Sequence, residues 1–414
     1  MSKRYLIYCL LLAGVLQMPG VLAQTVHPYG LDQLVAVTEN ELSGTARYIA
    51  MAGAMTAVGG DPTAVKVNPA GLGIYRHSQF SVSGDGSFSR YVQPESPNVG
   101  PWYDRWHLSQ ISYVFALTHP ERVAGVVSNN IMISYAKRAD GKCIFTLNDA
   151  SEHTDMKADW IETKIDQYMY RHDADVHFAQ NIHNRYYWGV AMSLEWLDTR
   201  QTFNRWEYTV AGKRDVPKEY DFSETYMGKA VGWGASAGVL LHPIQAIRIG
   251  VSVESPILGK MRQTDYYSED ISYVGQPALD VQYDSPDYNS RWTMITPMKA
   301  SAGVGLQWKN HGLLSLQYDL LYHKLIGVAH TARAGLEVAV TRHWMLEAGY
   351  SYATLYAHQR ASFGVNYMGK WLRIGLAYAH SWGTGQVKDS YYYTEQGIYK
   401  MRENTFVLTF QWNS

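Results

Sequence analysis

From Gln79 to the C-terminus the chain alternates apolar and polar residues with a period of two. Trp188, Val190, Met192, Leu194 and Trp196 share one parity; Gly189, Ala191, Ser193 and Glu195 share the other. Leu314, Leu316, Tyr318 and Leu320 oppose Ser315, Gln317 and Asp319. The same holds for Leu372, Ile374, Leu376 and Tyr378 against Arg373 and Gly375, and for Phe406, Leu408, Phe410 and Trp412 against Thr405, Thr409 and Gln411. Successive side chains of a strand point to opposite faces, so this pattern predicts strands with one apolar face. About fourteen such segments can be drawn, near 78–92, 106–118, 122–137, 173–182, 186–208, 227–241, 246–255, 291–309, 312–323, 330–341, 344–356, 360–368, 371–382 and 404–412.

A soluble sandwich would alternate in the same way, but the connections discriminate. Short ones, such as Ile182 to Arg185, His242-Pro243-Ile244 and Gly369-Lys370, recur at every second link. Longer segments lie between them, at 93–105, 138–172, 209–226, 256–290 and 383–403. Short turns at one end and long loops at the other are the habit of a transmembrane barrel. The pattern therefore predicts an all-β, transmembrane antiparallel β-barrel of about fourteen strands.

Several places depart from plain alternation. In the third strand Val123, Val127, Ile131, Ile133 and Tyr135 read as lipid-facing, yet Asn129 breaks the row and Asn130 follows it. An amide in lipid is costly unless paired, so a β-bulge around Ser128, Asn129 and Asn130 is expected. In the segment 138–172, Met156, Trp160, Ile161, Ile165, Tyr168 and Met169 recur at three- and four-residue steps. That spacing predicts a helix with one apolar face on an outer loop, a candidate contact for a hydrophobic ligand. Asp173, Asp175 and His177 alternate on one strand face and read as polar lumen lining. Glu337, Glu347, Arg333 and Arg373 do the same on later strands.

The stretch Ala46–Gly73 is different again, crowded with Ala and Gly and closing on Asn68-Pro69-Ala70-Gly71. Asp61 before Pro62 predicts a helix start, with Asp as N-cap and Pro at the first helical position. Pro69 presets a turn, Asn68 can bond its own backbone, and Gly71 can take positive φ. Ala46, Ala50, Ala54 and Ala57 sit at helical spacing, which would let a short helix pack close to a wall. This order of small-residue run, Asp61, NPAGL and strand resembles the start of the FadL/TodX family of outer-membrane transporters of long-chain fatty acids and other hydrophobic compounds. The resemblance covers roughly residues 44–75. It implies an N-terminal arm and hatch over 24–75, plugging a barrel over 76–414. It also implies passive uptake of a hydrophobic small-molecule ligand. The ligand would be captured on outer loops and bound beside the hatch, then leave sideways at a kink in the third strand. Ser128, Asn129 and Asn130 are the candidates for that kink, and Asp61, Asn68, Pro69, Ala70 and Gly71 for the hatch. Family members capture ligand on later outer loops than the one carrying Met156–Met169. Some relatives serve instead as binding partners in protein secretion or surface attachment, and that alternative stays open.

Composition narrows the setting. Lys3 and Arg4, the apolar run Tyr5–Leu16 and Val21-Leu22-Ala23 predict a secretory signal peptide over 1–23. No later stretch has ~20 consecutive apolar residues. Mean hydropathy is −0.25, a value that barrels reach because their lumen faces are polar. Aromatics make up 13% of the 414 residues, with 32 Tyr and 13 Trp, which suits membrane-interface girdles. Cys143 is alone after the signal peptide, and the charge of −1 gives no nucleic-acid footprint. Neither G-x-S-x-G nor H-E-x-x-H occurs, so no enzyme is expected, and no metal or other cofactor. The aromatic final strand resembles those read by the barrel-assembly machinery. The expected setting is the bacterial outer membrane, as a monomer in contact with its lipid.

Overall fold

The computed structural model describes residues 42–92, 103–118, 125–140, 143–149, 160–208, 217–273, 277–308, 311–324, 327–354, 357–388 and 396–413. The signal-peptide segment, the arm up to residue 41 and Met156 lie outside these residues.

The wall opens with β1 (Gln79–Val92), β2 (Tyr103–Thr118) and β3 (Val126–Asp140). β4 (Cys143–Asp149) continues the line of β3, since both pair with β5 (Trp160–Ile182). β6 (Tyr186–Tyr208) and β7 (Pro217–Ile244) follow. β8 (Ile247–Glu254) and β9 (Leu258–Tyr273) form one interrupted strand against β7. β10 (Val281–Asp284), β11 (Tyr288–Ile295) and β12 (Met298–Trp308) form the next. Then come β13 (Gly312–His323), β14 (Gly327–Ala339), β15 (Trp344–Ala353), β16 (His358–Met368), β17 (Leu372–Lys388) and β18 (Gln396–Asn413). Every pairing is antiparallel, and β18 returns to β1, closing a fourteen-strand barrel. Closure removes both sheet edges, which a chain in lipid must do to satisfy its backbone.

The alternation decides which face is which. On β13, Leu316, Tyr318 and Leu320 are exposed on the outside, while Ser315, Gln317 and Asp319 are buried inside. On β6, Trp188, Val190, Met192 and Leu194 face out and Ala191 and Glu195 face in. Aromatic rings mark both rims of this apolar band. Phe80, Phe410 and Trp412 stack near the short-turn end. Tyr135, His172 and Trp196 stack towards the other end.

The outer segments correct one expectation. Where the spacing of Met156–Met169 predicts a helix, the described residues, from Trp160 onwards, are strand and belong to β5. β5 pairs with β6 along its whole 23-residue length. A tilted strand spans the bilayer in about 9–11 residues, so roughly half of this hairpin stands beyond the membrane. Outside lipid, strict alternation is no longer enforced, and apolar residues drift to three- and four-residue steps. Much of 209–226, 256–290 and 383–403 is likewise strand extension.

The apolar band yields a direct expectation. Leu316→Arg should cost about 2–4 kcal/mol in vesicle unfolding, as charge near the midplane does, and a cost near zero would misplace this face.

Candidate functional site

The lumen is occupied by residues 44–75, folded as two short helices and a 3-10 turn. α1 (Ala46–Ala50) is capped by Thr45, whose side chain accepts from the Tyr48 amide. α2 (Pro62–Val67) starts as expected, with Asp61 accepting from the Thr63 and Ala64 amides and Pro62 at the first position. The Thr45 hydroxyl donates to the same carboxylate at 2.8 Å, tying the two helix starts together. Burial raises the Asp61 carboxyl above its ordinary 3.8, against the pull of the Arg47 guanidinium and of the hydrogen bonds from Thr45, Ala64 and Thr63.

Pro69–Ile74 forms the 3-10 turn, and Asn68 caps it through its side-chain oxygen to the Ala70 amide, 3.1 Å. The Asn68 amide nitrogen donates to Thr56 O (2.8 Å) within the hatch and to Val239 O (3.2 Å) on β7. Gly71 does not take positive φ; Gly59 and Gly60 do, at 64° and 66°. Gly71 is required for a different reason. A Cβ there would lie 2.9 Å from the Cα of Gly59, where the two hatch segments touch.

Wall and hatch meet backbone to side chain and backbone to backbone. A Cβ on Gly189 of β6 would lie 2.5 Å from the Pro69 carbonyl carbon. One on Gly250 of β8 would overlap Thr56, and one on Gly349 of β15 would overlap Met51. On Gly364 of β16 it would stand 2.6 Å from the Ala50 Cβ. These inward glycines let the hatch approach where any side chain would push it away. Charges add to the contact. Arg47 Nε donates to Glu337 at 2.7 Å. Lys66 Nζ bridges Asp173 and Asp175, 2.8 Å from the latter. Arg333 and Arg248 of the wall donate to the hatch carbonyls of Ala52 and Val58, at 3.1 and 3.0 Å. Thus the Asp173–Asp175 pair is a socket for a hatch lysine.

The third strand is closed where an opening was expected. The bulge falls at Val127, between the pairs Val126–Ile182 and Ser128–Asn181. Ser128, Asn129 and Asn130 then pair without a register shift with β2 on one side and β5 on the other. Asn129 meets its polar need by accepting from Gln180, 3.0 Å. Asn130 points inward, and its amide donates to Leu72 O (2.9 Å) and Tyr75 O (3.0 Å) of the hatch. Asn130 therefore fastens the plug.

Above the hatch the inward surface changes character. Met169, Leu197, Ala230, Ile257, Met261 and Met294 form a buried apolar cluster, with Trp292 packed against it. Leu197, Ala230, Met261 and Trp292 are consecutive partners on one rung across β6, β7, β9 and β11. Of the proposed outer-loop contacts, Met169 is brought here; the side chains of the other five lie outside the described ones. Sequence reading placed Ile257 and Met261 in a loop and Leu197, Ala230, Trp292 and Met294 in three separate strands, and no pattern within one strand shows that they meet. It also missed the glycine contacts, although their shared inward parity was visible. Among the described residues no group of three or more His, Cys, Asp or Glu is placed to hold a metal ion.

A closed fourteen-strand barrel, its lumen filled by a side-chain-locked N-terminal plug, defines a plugged barrel of the transmembrane class. Solved structures of this architecture match it over nearly their full length. The toluene transporter TodX of Pseudomonas putida is 15% identical, with 91% of this chain and 99% of that chain covered and a TM-score of 0.64. A Pseudomonas aeruginosa FadL homologue is 13% identical, covering 90% and 99%, with a TM-score of 0.65. The Ralstonia pickettii toluene transporter TbuX is 14% identical, covering 90% and 98%, with a TM-score of 0.56. The chain has the fold of these FadL/TodX barrels. No family model matches the sequence, and no curated protein matches it either.

Two substitutions test the lock. Lys66→Met removes the ammonium from two buried carboxylates and should destabilise the hatch by about 3–5 kcal/mol, as breaking a buried ion pair does. Adding Asp173→Asn and Asp175→Asn should restore much of the loss in urea unfolding of the micelle-bound protein. Gly71→Val should loosen the hatch to protease while the barrel keeps its heat-shifted gel mobility; failure to form a barrel at all would make the stretch part of the barrel's folding core.

Proposed function

We propose that the protein is an outer-membrane channel for passive uptake of hydrophobic small molecules. The observation that carries this reading is the apolar cluster around Met261. It sits above the plug, in a lumen lined elsewhere by buried Ser, Asp, Glu and Arg. A polar solute gains nothing from thioether and aliphatic groups there, whereas an apolar ligand buries surface against them. Unbranched, polarizable Met side chains adapt to ligands of different shape. The fold it shares with two toluene transporters and a FadL homologue supports the same cargo class. Long-chain fatty acids belong to that class.

In this reading the signal peptide over 1–23 directs the chain out of the cytoplasm, and the barrel-assembly machinery inserts it as a monomer among outer-membrane lipids. Ligand enters at the mouth formed by the extended hairpins, settles on the cluster and leaves through the wall. The hatch motif Asp61, Asn68, Pro69, Ala70 and Gly71 holds the plug in place and does no chemistry.

Uptake of labelled toluene and of oleate by cells with a lipopolysaccharide outer membrane tests this. Expression should speed entry of at least one of the two. Met261→Asp should slow that entry by about tenfold, the effect of ~1.4 kcal/mol. Equal entry with and without the protein, together with a protein partner that co-purifies with it, would favour a secretion or attachment role instead.

A further inference from the structure

Two neighbouring wall strands are interrupted at the same height, four and five strands round the wall from β3. One leaves β8 at Glu254 and resumes as β9 at Leu258. The next stops as β11 at Ile295 and resumes as β12 at Met298. Pro256 and Pro297 lie in the two gaps, and neither can donate to the ladder. Two hydroxyls act as acceptors there. The Ala235 amide donates to Ser255 Oγ at 2.9 Å, and the Ile257 amide to Thr296 Oγ1 at 2.8 Å. Backbone bonds remain from Ser255 to Ala235 O (2.8 Å) and from Thr296 to Ile257 O (3.2 Å).

The seam also bulges. Ser255, Pro256 and Ile257 face only Gly234 and Ala235 on β7, between the pairs Ser236–Glu254 and Trp233–Leu258. The extra residue drives Ile257 into the lumen, where it is 2% exposed and belongs to the apolar cluster. Gly232 and Gly234 make room for it, since a Cβ on either would collide with the Ile257 side chain. Outside, Trp233 and Leu258 are exposed at the same level, in the apolar band. Apolar chemistry is therefore continuous from the cluster, through Ile257, to the lipid-facing surface.

The hatch is not in the way. On β8 it touches the wall at Gly250, through Thr56. Pro256 is six residues further along, about 20 Å at ~3.3 Å per residue. We propose that the Pro256–Pro297 seam is the lateral exit for hydrophobic ligand, with Ile257 as its plug, so that ligand reaches the membrane without displacing the hatch. The proposal rests on the uptake reading above and gives it a route. It places the exit four to five strands round the wall from Ser128–Asn130, where the hatch itself closes the wall.

A reversible lock tests it in a Cys143→Ser background. A Cβ on Gly234 would stand 3.7 Å from Ile257 Cγ1, the place that a thiol sulfur introduced at this position would take. Gly234→Cys with Ile257→Cys should therefore pin the plug to β7 when oxidised. Ala46→Cys with Gly375→Cys, whose Cβ atoms would be 3.0 Å apart, pins the hatch to β17. Toluene entry into cells is the readout. Oxidation of the seam pair should reduce entry to that of cells lacking the protein, and reduction should restore it. The oxidised hatch pair should keep the wild-type rate, and Ile257→Ala should exceed it. Seam-locked protein that transports as fast as its reduced form, or a hatch lock that alone stops entry, overturns the portal. Wild-type protein that does not speed toluene or oleate entry overturns the uptake reading itself, and the portal with it.

Discussion

The close approach of hatch backbone to barrel wall is the constraint on which the rest depends. A fourteen-strand barrel is too wide for its own side chains to fill, so something else must occupy the lumen. Here a stretch of small residues does so, and the wall answers with glycines at the points of contact. Each glycine weakens its strand slightly, because it removes a side chain that could pack. The loss is offset by contacts that only a bare backbone permits. Carboxylates paired with ammonium and guanidinium groups then fix the register of plug against wall, as at Lys66 with Asp173 and Asp175 and at Arg47 with Glu337.

This arrangement divides the barrel into two functional heights. Near the short turns the lumen is sealed by hydrogen bonds that include Asn130 to Leu72 and Tyr75. Near the extended hairpins it is apolar on one side, around Met261. Where the hatch is fastened the strands stay continuous. The wall is least regular beside the apolar cluster, where Pro256 and Pro297 interrupt adjacent strands. A permeation route that respects these facts uses the irregular part and leaves the fastened part alone.

Much of the fold was legible because lipid enforces it. Leu316, Tyr318 and Leu320 face an apolar solvent, Ser315, Gln317 and Asp319 face the lumen, and a period of two follows. The helix start at Asp61-Pro62 was legible because capping is local. Where lipid ended, so did the signal: Trp160–Tyr168 continue β5 as strand, although their spacing suits a helix. Asn130 looks like a flaw in the wall from sequence because its partners, the carbonyls of Leu72 and Tyr75, lie more than fifty residues away. Gly71 looks like a turn residue for the same reason, its neighbour Gly59 being invisible to any local rule. The Met261 cluster joins β5, β6, β7, β9 and β11, and no pattern within one strand announces it.

The central claim is that the hatch is a fixed part of the wall during ligand passage. Hydrogen–deuterium exchange in micelles, with and without saturating toluene, measures this directly. The account predicts that the amides of Ala64, Asn68 and Gly71 stay as protected as those of β13 in both conditions, while exchange rises at Ile257 and Thr296 when ligand is present. Loss of protection in the hatch on adding ligand, with the Pro256–Pro297 seam unchanged, would contradict it.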